Sequence, residues 1–320
     1  MIQRLQYIDR LKGFAMLCVV LGHLVCFTMY DTWEEAIHDI NLSFVNSFHM
    51  PLFFFLSGYV ISKPPTNKKL LRKCYSFLAP FLFFGGIYTF VTNSNIESFF
   101  INNFKNGYWY LMVLSVFYCF ITLQRCAKGR ISEFVIPLII IICLLFSFRY
   151  LPLVVSNALS LGLCYALYPF FMMGYFARKY NWLEWLLNNN WLFTIALFSV
   201  IPIYALFYNG TFTHFIQGKI LVILIVILFV FKKREASNSY IEKILALIGR
   251  NTLDVYVFQY FFFLIINLRW LAIWIKKSGN ILFESALLLL IALFISFLCI
   301  YVGRLLKNSE FIKKFVYGSF

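Results

Sequence analysis

The chain has 320 residues, of which 62% are hydrophobic and only 13% are charged. Soluble domains contain roughly 45–50% apolar and about 25% charged residues, so the composition excludes an aqueous globular fold. The formal net charge of +15 would suggest nucleic-acid binding in a soluble protein, but no soluble basic domain is visible. Basic loops beside membrane helices explain the charge better. We therefore predict a membrane protein that contacts lipid and binds no nucleic acid.

The apolar segments predict where the chain crosses the membrane. A helix needs roughly 20 apolar residues to cross about 30 Å of hydrocarbon. This predicts an all-α, polytopic bundle of about ten transmembrane helices, in which residues 1–320 form a single membrane domain with no appended soluble domain. In chain order, the predicted spans are 11–29, 43–62, 74–92, 108–124, 131–148, 157–177, 191–208, 215–231, 251–268 and 283–303.

The distribution of basic residues predicts the orientation of the bundle, because cytoplasmic connections are enriched in Lys and Arg. If the N-terminus is cytoplasmic, the cytoplasmic segments hold 22 of the 28 Lys and Arg residues. Ten spans then place the C-terminus in the cytoplasm as well. The connection after the second span is especially basic and contains Lys63, Lys68, Lys69, Arg72 and Lys73.

Two histidines lie within predicted spans, where ionisable groups are costly and are therefore functional candidates. His23 follows an apolar run in the first span, and His49 lies in the second. Each is about six residues from the outer end of its span, so antiparallel helices would place the two imidazoles at similar depth. Imidazole is suited to proton transfer near neutral pH. The alternative is structural: His23 could simply hydrogen-bond a neighbouring helix.

A few further polar residues stand out, and structural roles remain open for each of them. Arg10 and Lys12 fit positively charged anchors at the cytoplasmic end of the first span. Asp9 fits a partner of the helix dipole, and Gln259, in the ninth predicted span, fits an interhelical hydrogen bond. The eight cysteines show no zinc-ligand spacing, and two histidines alone are a poor ligand set, so we predict no metal.

Several segments resemble one known family. Residues 7–15 (Tyr-Ile-Asp-Arg-Leu-Lys-Gly-Phe-Ala) and 21–23 (Leu-Gly-His) resemble the first helix of the integral-membrane acyltransferase family 3. That family includes O-antigen, capsule and exopolysaccharide O-acetyltransferases. Residues 48–59 resemble its second-helix signature, and 109–111 (Trp-Tyr-Leu) resemble its Trp-Phe-Leu motif. Later family stretches resemble residues 168–175 and 248–256.

The resemblance has departures at three positions. Lys12 replaces the Arg that the family usually carries before the histidine of the first helix, so the charge is kept and the planar fork is lost. This Lys resembles the fucose-acetylase-like branch of the family. Lys69 and Arg72 stand in for a family pair of arginines with the same spacing, and Gln259 occupies a place that is often His.

The resemblance implies a transfer reaction in a bacterial cytoplasmic (inner) membrane. An acetyl group would pass from acetyl-CoA, the co-substrate, to a hydroxyl of a surface or lipid-linked carbohydrate. His23 would act as general base or carry the acyl group, and His49 would orient it or protonate the leaving group. The expected phosphate-binding residues are Arg10, Lys12, Lys69, Arg72 and Lys73, and the expected supporting residues are Asp9, Ser57, Trp109 and Gln259.

Two other classes of function are compatible with a multi-span chain. One is a transporter or flippase for a glycan-related substrate, which ten spans and several intramembrane polar residues would suit, although no inverted repeat is visible. The other is a non-catalytic membrane sensor, against which the absence of any recognisable signalling domain counts. The sequence does not identify the acceptor, the length of the acyl group or the oligomeric state.

Overall fold

The structure is a computed structural model that describes residues 6–208, 216–234 and 239–318. Within these ranges the chain is helical and contains no β-strand. In chain order the α-helices are α1 Gln6–Leu24, α2 Trp33–Ala36, α3 Ile40–Asn46, α4 His49–Tyr59, α5 Asn67–Val91, α6 Ile96–Ile101, α7 Trp109–Thr122, α8 Arg130–Tyr150, α9 Leu153–Ala158, α10 Leu161–Lys179, α11 Trp182–Asn188, α12 Asn190–Tyr208, α13 Ile216–Lys233, α14 Tyr240–Arg250, α15 Thr252–Phe263, α16 Arg269–Ser278 and α17 Ile281–Lys307. Short 3₁₀ turns cover Lys105–Gly107 and Leu123–Cys126, and π-helical turns cover Val25–Met29 and Ile312–Val316.

Six helical segments of the described chain are long and apolar enough to cross a membrane. They are Gln6–Met29, Ile40–Tyr59, Asn67–Val91, Trp109–Cys126, Arg130–Tyr150 and Ile281–Lys307. Much of α8 is exposed on the isolated chain, and its exposed side chains include Leu138, Ile139, Ile142 and Phe146. Such a continuous apolar surface requires lipid as its solvent. The structure therefore confirms a membrane-embedded, all-α protein, while the count of ten spans stays a prediction.

The ninth predicted span, 251–268, is wrong in its length. Helix α15 has 12 residues and ends at Phe263, so it rises only about 18 Å. The chain then turns, and the backbone N–H of Leu268 donates to the carbonyl of Thr28 at 2.8 Å. Irregular backbone at membrane depth needs such partners inside the protein. Here the π-helical end of α1 supplies one.

The second predicted span, 43–62, corresponds to the span-length segment Ile40–Tyr59, which consists of two helices. Helix α3 ends at Asn46 and α4 begins at His49. Pro51 explains the break, because it has no N–H for the carbonyl of Ser47 and its ring would clash with that carbonyl in a continuous helix. The interruption places His49 at the first position of α4.

The described chain divides into two compact units. The first unit contains Met1–Phe53 and Asn181–Tyr301, and the second contains Phe54–Tyr180 and Val302–Phe320. The short helices Trp182–Asn188 and Arg269–Ser278 of the first unit match two stretches, 181–187 and 269–277, whose amphipathic pattern predicts helices at the membrane interface.

Within the first unit, α1 and α14 cross with their backbones in contact. A methyl group added to Gly13 would overlap the carbonyl oxygen of Leu245, and one added to Gly249 would overlap the carbonyl oxygen of Asp9. Helix α14 begins with a capping box in which Ser239 and Glu242 satisfy each other's backbone N–H groups. Because Gly13 and Gly249 have no side chains, α14 can pack directly against the N-terminal half of α1.

The second unit contains a similar crossing and a buried lysine. Methyl groups on Gly58 and Gly174 would overlap the backbones of α10 and α4, respectively. Lys105 is 1% exposed and donates to the carbonyls of Phe100, Asn102 and Asn157 at 2.7–2.9 Å. Burial lowers the pKa of Lys105 to about 8, so the ammonium form, whose three N–H groups match three carbonyls, still predominates at neutral pH.

Candidate functional site

His23 lies at the end of α1, immediately before the helix widens into its π-helical turn. Its imidazole is surrounded by aromatic rings: the ring centroid is 5.1 Å from Tyr260, 5.8 Å from Phe27 and 6.4 Å from Phe263. Phe27 and Phe263 are stacked with centroids 6.1 Å apart. Single-turn π-helical segments occur frequently at functional sites. The histidine is thus held in an apolar wall built by α1 and α15.

Two buried polar atoms at the His23 ring have no hydrogen-bond partner among the described residues. Its Nδ1 atom is buried and has no hydrogen-bond partner among the described residues. Gln259 is fully buried and interacts with the imidazole, and its Nε2 donates to the carbonyl of Tyr256 at 3.3 Å. The Gln259 side-chain oxygen also lacks a hydrogen-bond partner within the described part of the chain. Buried polar atoms of this kind are costly, and in native structures they call for an explanation.

His49 is close enough to His23 for the two imidazoles to interact electrostatically. Its Nδ1 lies 2.8 Å from the carbonyl oxygen of Val45. A carbonyl can only accept, so Nδ1 carries the proton and Nε2 of the neutral ring keeps its lone pair. The break between α3 and α4 therefore fixes one tautomer of His49. The structure brings the two predicted histidines and Gln259 together within the first unit.

Arg10 lies on the first turns of α1 and is only 5% exposed. Its Nη1 donates to the carbonyl of Arg234 at 2.9 Å and lies 3.4 Å from a Glu242 carboxylate oxygen. Glu242 also pairs with the Arg234 guanidinium at 3.2 Å. This arrangement satisfies a buried charge and links α1 to α14. Lys12 and Asp9 are half-buried on the same end of α1.

The other predicted residues belong to the second unit. The Ser57 hydroxyl lies 2.9 Å from the Tyr110 hydroxyl, and the Trp109 ring stacks near Phe54 at 6.2 Å. The basic residues of α5 are exposed near its N-terminal end, where they are available to an anion; they are Lys69, Arg72 and Lys73.

Comparison with known proteins identifies the family. Residues 5–304 match the family described as an acyltransferase domain. The chain belongs to acyltransferase family 3. No curated protein and no solved structure matches the chain significantly.

The family assignment makes this protein a membrane-embedded acyltransferase. Sequence reasoning missed four residues of its candidate site, namely Phe27, Tyr260, Phe263 and Glu242. The aromatic residues lie in runs where nearly every position is apolar, so no periodic pattern marks the face that meets His23. Glu242 could have been suspected as the third residue of a capping box, but its pairing with Arg10 joins residues far apart in the chain. Among the described residues, no group of three or more His, Cys, Asp or Glu side chains could hold a metal ion.

Proposed function

We propose that this acyltransferase transfers an acetyl group from acetyl-CoA to a hydroxyl group of a surface or lipid-linked carbohydrate, at a bacterial cytoplasmic membrane. The observation that carries the proposal is the His23 environment. An imidazole with a buried, unpartnered ring nitrogen lies beside a second histidine and a buried amide, within an aromatic wall. These features support a role for His23 in taking a proton from a hydroxyl.

The reaction follows from these groups. His23 removes the proton of the acceptor hydroxyl while the hydroxyl oxygen attacks the thioester carbonyl carbon. The C–S bond of the resulting tetrahedral species breaks, and the CoA sulfur takes up the proton that the imidazole holds. In the covalent variant, a His23 nitrogen attacks the thioester first and CoA leaves as the thiolate. The hydroxyl oxygen then attacks the acyl carbon, the bond from that carbon to the imidazole breaks, and the hydroxyl proton neutralises the thiolate.

His49 and Gln259 act through His23 in this scheme. The His49 Nδ1–H is committed to the Val45 carbonyl, so its Nε2 lone pair is the atom that can interact with a proton on His23. Gln259 can accept a hydrogen bond through its unpartnered side-chain oxygen. The Gln259 oxygen would stabilise the imidazolium form that exists while the proton is held, and His49 would do so only while its own ring is neutral.

The aromatic wall has a chemical use as well. Transfer of the acyl group to water would hydrolyse the donor without modifying the acceptor. A site that excludes water suppresses this hydrolysis. The stacked rings of Phe27 and Phe263, together with Tyr260, cover the His23 ring on several sides. We infer that they favour a carbohydrate hydroxyl delivered to the site over bulk water.

The donor phosphates are assigned to basic residues at the predicted cytoplasmic side. Lys69, Arg72 and Lys73 are exposed on α5, and phosphate is recognised by Arg as a bidentate partner and by Lys as a point charge. The family resemblance supports Lys12 as a further residue that binds the phosphates of the acyl donor. Arg10 is already engaged by Glu242, so its contribution is to hold α14 against α1 within the first unit.

The test is chemical analysis of the surface carbohydrate. We expect cells that express the wild-type chain to carry O-acetyl groups that disappear when the gene is deleted and do not return with the His23→Gln variant. Membranes with the wild-type chain should release free CoA thiol from acetyl-CoA when the carbohydrate is present. A carbohydrate that is lost from the surface but keeps its acetyl groups would instead favour the flippase alternative.

A further inference from the structure

The C-terminal segment, residues 309–318, packs onto α5 within the second unit. The Tyr75 hydroxyl donates to the carbonyl of Phe315 at 3.0 Å, and the Tyr317 ring lies 5.9 Å from the Phe84 ring. Gly318 adopts a φ of +61°, and a Cβ there would come within 2.7 Å of the Ser76 Cα. Val316, Tyr317 and Gly318 are buried. The segment is therefore docked by side-chain and backbone contacts rather than trailing from α17.

The docking site lies on the face of α5 that carries the basic residues. Arg72 precedes Tyr75 by three residues and Ser76 by four, and Lys69 precedes Arg72 by three. Side chains three or four residues apart lie on one face of a helix. About one helical turn, roughly 5.4 Å along the axis, thus separates Arg72 from Tyr75 and Ser76, the α5 residues that contact the C-terminal segment.

The C-terminal segment carries cations of its own next to Phe315, whose carbonyl accepts from Tyr75. Lys313 and Lys314 are exposed on its π-helical turn. Lys313 pairs with Glu310 at 3.1 Å, and the Lys314 ammonium lies 5.7 Å from the Phe315 ring. At the same N-terminal end of α5 as Lys69 and Arg72, the Arg125 guanidinium donates to the Asn67 side chain at 2.8 Å. We call Lys69, Arg72, Arg125, Lys313 and Lys314 the basic surface, and Glu310 is the carboxylate beside it.

We propose that the C-terminal segment completes the phosphate-binding surface for the acyl donor, with Lys313 and Lys314 contacting phosphate groups alongside Lys69 and Arg72. The inference rests on the proposed function. A CoA thioester carries a diphosphate and a separate phosphate on its nucleotide, so cations on two structural elements bind it better than one row of charges. Anionic lipid headgroups share this phosphate chemistry, and the experiment separates the two sources.

The experiment measures CoA binding by titration calorimetry with the full chain in nanodiscs of zwitterionic lipid. We expect Lys313→Gln with Lys314→Gln to weaken CoA binding about tenfold, the effect of roughly 1.4 kcal/mol, and to reduce its salt dependence. Pantetheine, which lacks the nucleotide and its phosphates, should bind both proteins equally. Arg149→Gln with Lys277→Gln removes the same charge from exposed positions elsewhere and should leave the dissociation constant unchanged.

A second variant tests the docking itself. Gly318→Ala keeps every cation, but its methyl group would collide with the Ser76 backbone. We expect it to weaken CoA binding by a factor similar to the loss of both lysines, without loss of thermal stability of the helices.

The outcomes separate this inference from the proposed function. If the wild-type chain does not bind CoA, the donor assignment fails and this inference fails with it. If the wild-type chain binds CoA and both C-terminal variants bind it equally well, only this inference is overturned. It is also overturned if the lysine variants differ from the wild type solely in nanodiscs that contain anionic lipid, because the segment then binds headgroups.

Discussion

At the scale of single residues, the proposed chemistry depends on His23. Its ring contacts three aromatic rings and leaves Nδ1 without a described hydrogen-bond partner. We predict that His23→Ala lowers acyl transfer at least about 10²-fold, the usual scale for the loss of a general acid–base group. The variant should still insert and fold, because the change removes a polar group from the apolar wall. The measurement is specific activity divided by the amount of folded protein.

His38 is the matched control, because it is an exposed histidine in the connection before α3. His38→Ala should keep near-normal activity. If His23→Ala instead reduces yield or thermal stability while each folded molecule remains fully active, His23 has a structural role and the proposed mechanism loses its base.

At the scale of elements, the crossing of α1 and α14 positions the start of α1. Gly249 meets the Asp9 carbonyl so closely that even one methyl group cannot be accommodated. We predict that Gly249→Ala destabilises the protein by about 1–3 kcal/mol, as overpacking typically does, and that its melting temperature in detergent falls. Gly86 of α5 has open space around it, so Gly86→Ala should be neutral or slightly stabilising. Equal melting temperatures for the two variants would contradict the described crossing.

The basic end of α5 supports a second prediction at this scale. Neutralising Lys69 and Arg72 together by Gln should raise the Michaelis constant for acetyl-CoA more than it lowers turnover, since phosphate contacts are present in both the ground and the transition state. Steady-state kinetics over a range of donor concentrations measure both quantities. Arg149→Gln with Lys277→Gln is again the charge-matched control. If the Michaelis constant for acetyl-CoA is unchanged in the α5 variant, Lys69 and Arg72 do not bind the donor and serve only to orient α5 in the membrane.

At the scale of the whole molecule, the orientation in the membrane decides which side supplies the donor. The asymmetry of basic residues predicts that α5 begins in the cytoplasm and ends outside. A cysteine at Asn95, which is exposed just after α5, should react in intact cells with an impermeant thiol reagent, and one at Asn67 should not. Labelling at Asn67 alone would place the basic surface away from cytoplasmic CoA.

The wild-type chain is labelled in parallel as the control, because its own cysteines are free thiols that can react with the reagent. The signal from each introduced cysteine is read relative to that control. Two further labelling positions that the sequence suggests are Asn209, predicted outside, and Asn238, predicted inside; both lie outside the described residues.

The sequence alone determined the class of the protein and several of its candidate residues. With 62% hydrophobic residues, the requirement that every backbone polar group be satisfied in lipid leaves helices as the solution. The cost of ionisable groups in lipid selected His23 and His49 without any knowledge of their surroundings. The motifs around them were enough to suggest the family that residues 5–304 match.

Only the tertiary structure decided what these residues contact. In a chain this apolar, hydrophobic periodicity cannot tell the lipid-facing side of a helix from its packed side, so the aromatic wall around His23 was not predictable. The partners of α1 include α14 and α15, more than two hundred residues away in the sequence, and local patterns carry no information about such pairings. The early end of α15 likewise depends on backbone groups that a neighbouring segment satisfies, as the Thr28 carbonyl does for Leu268.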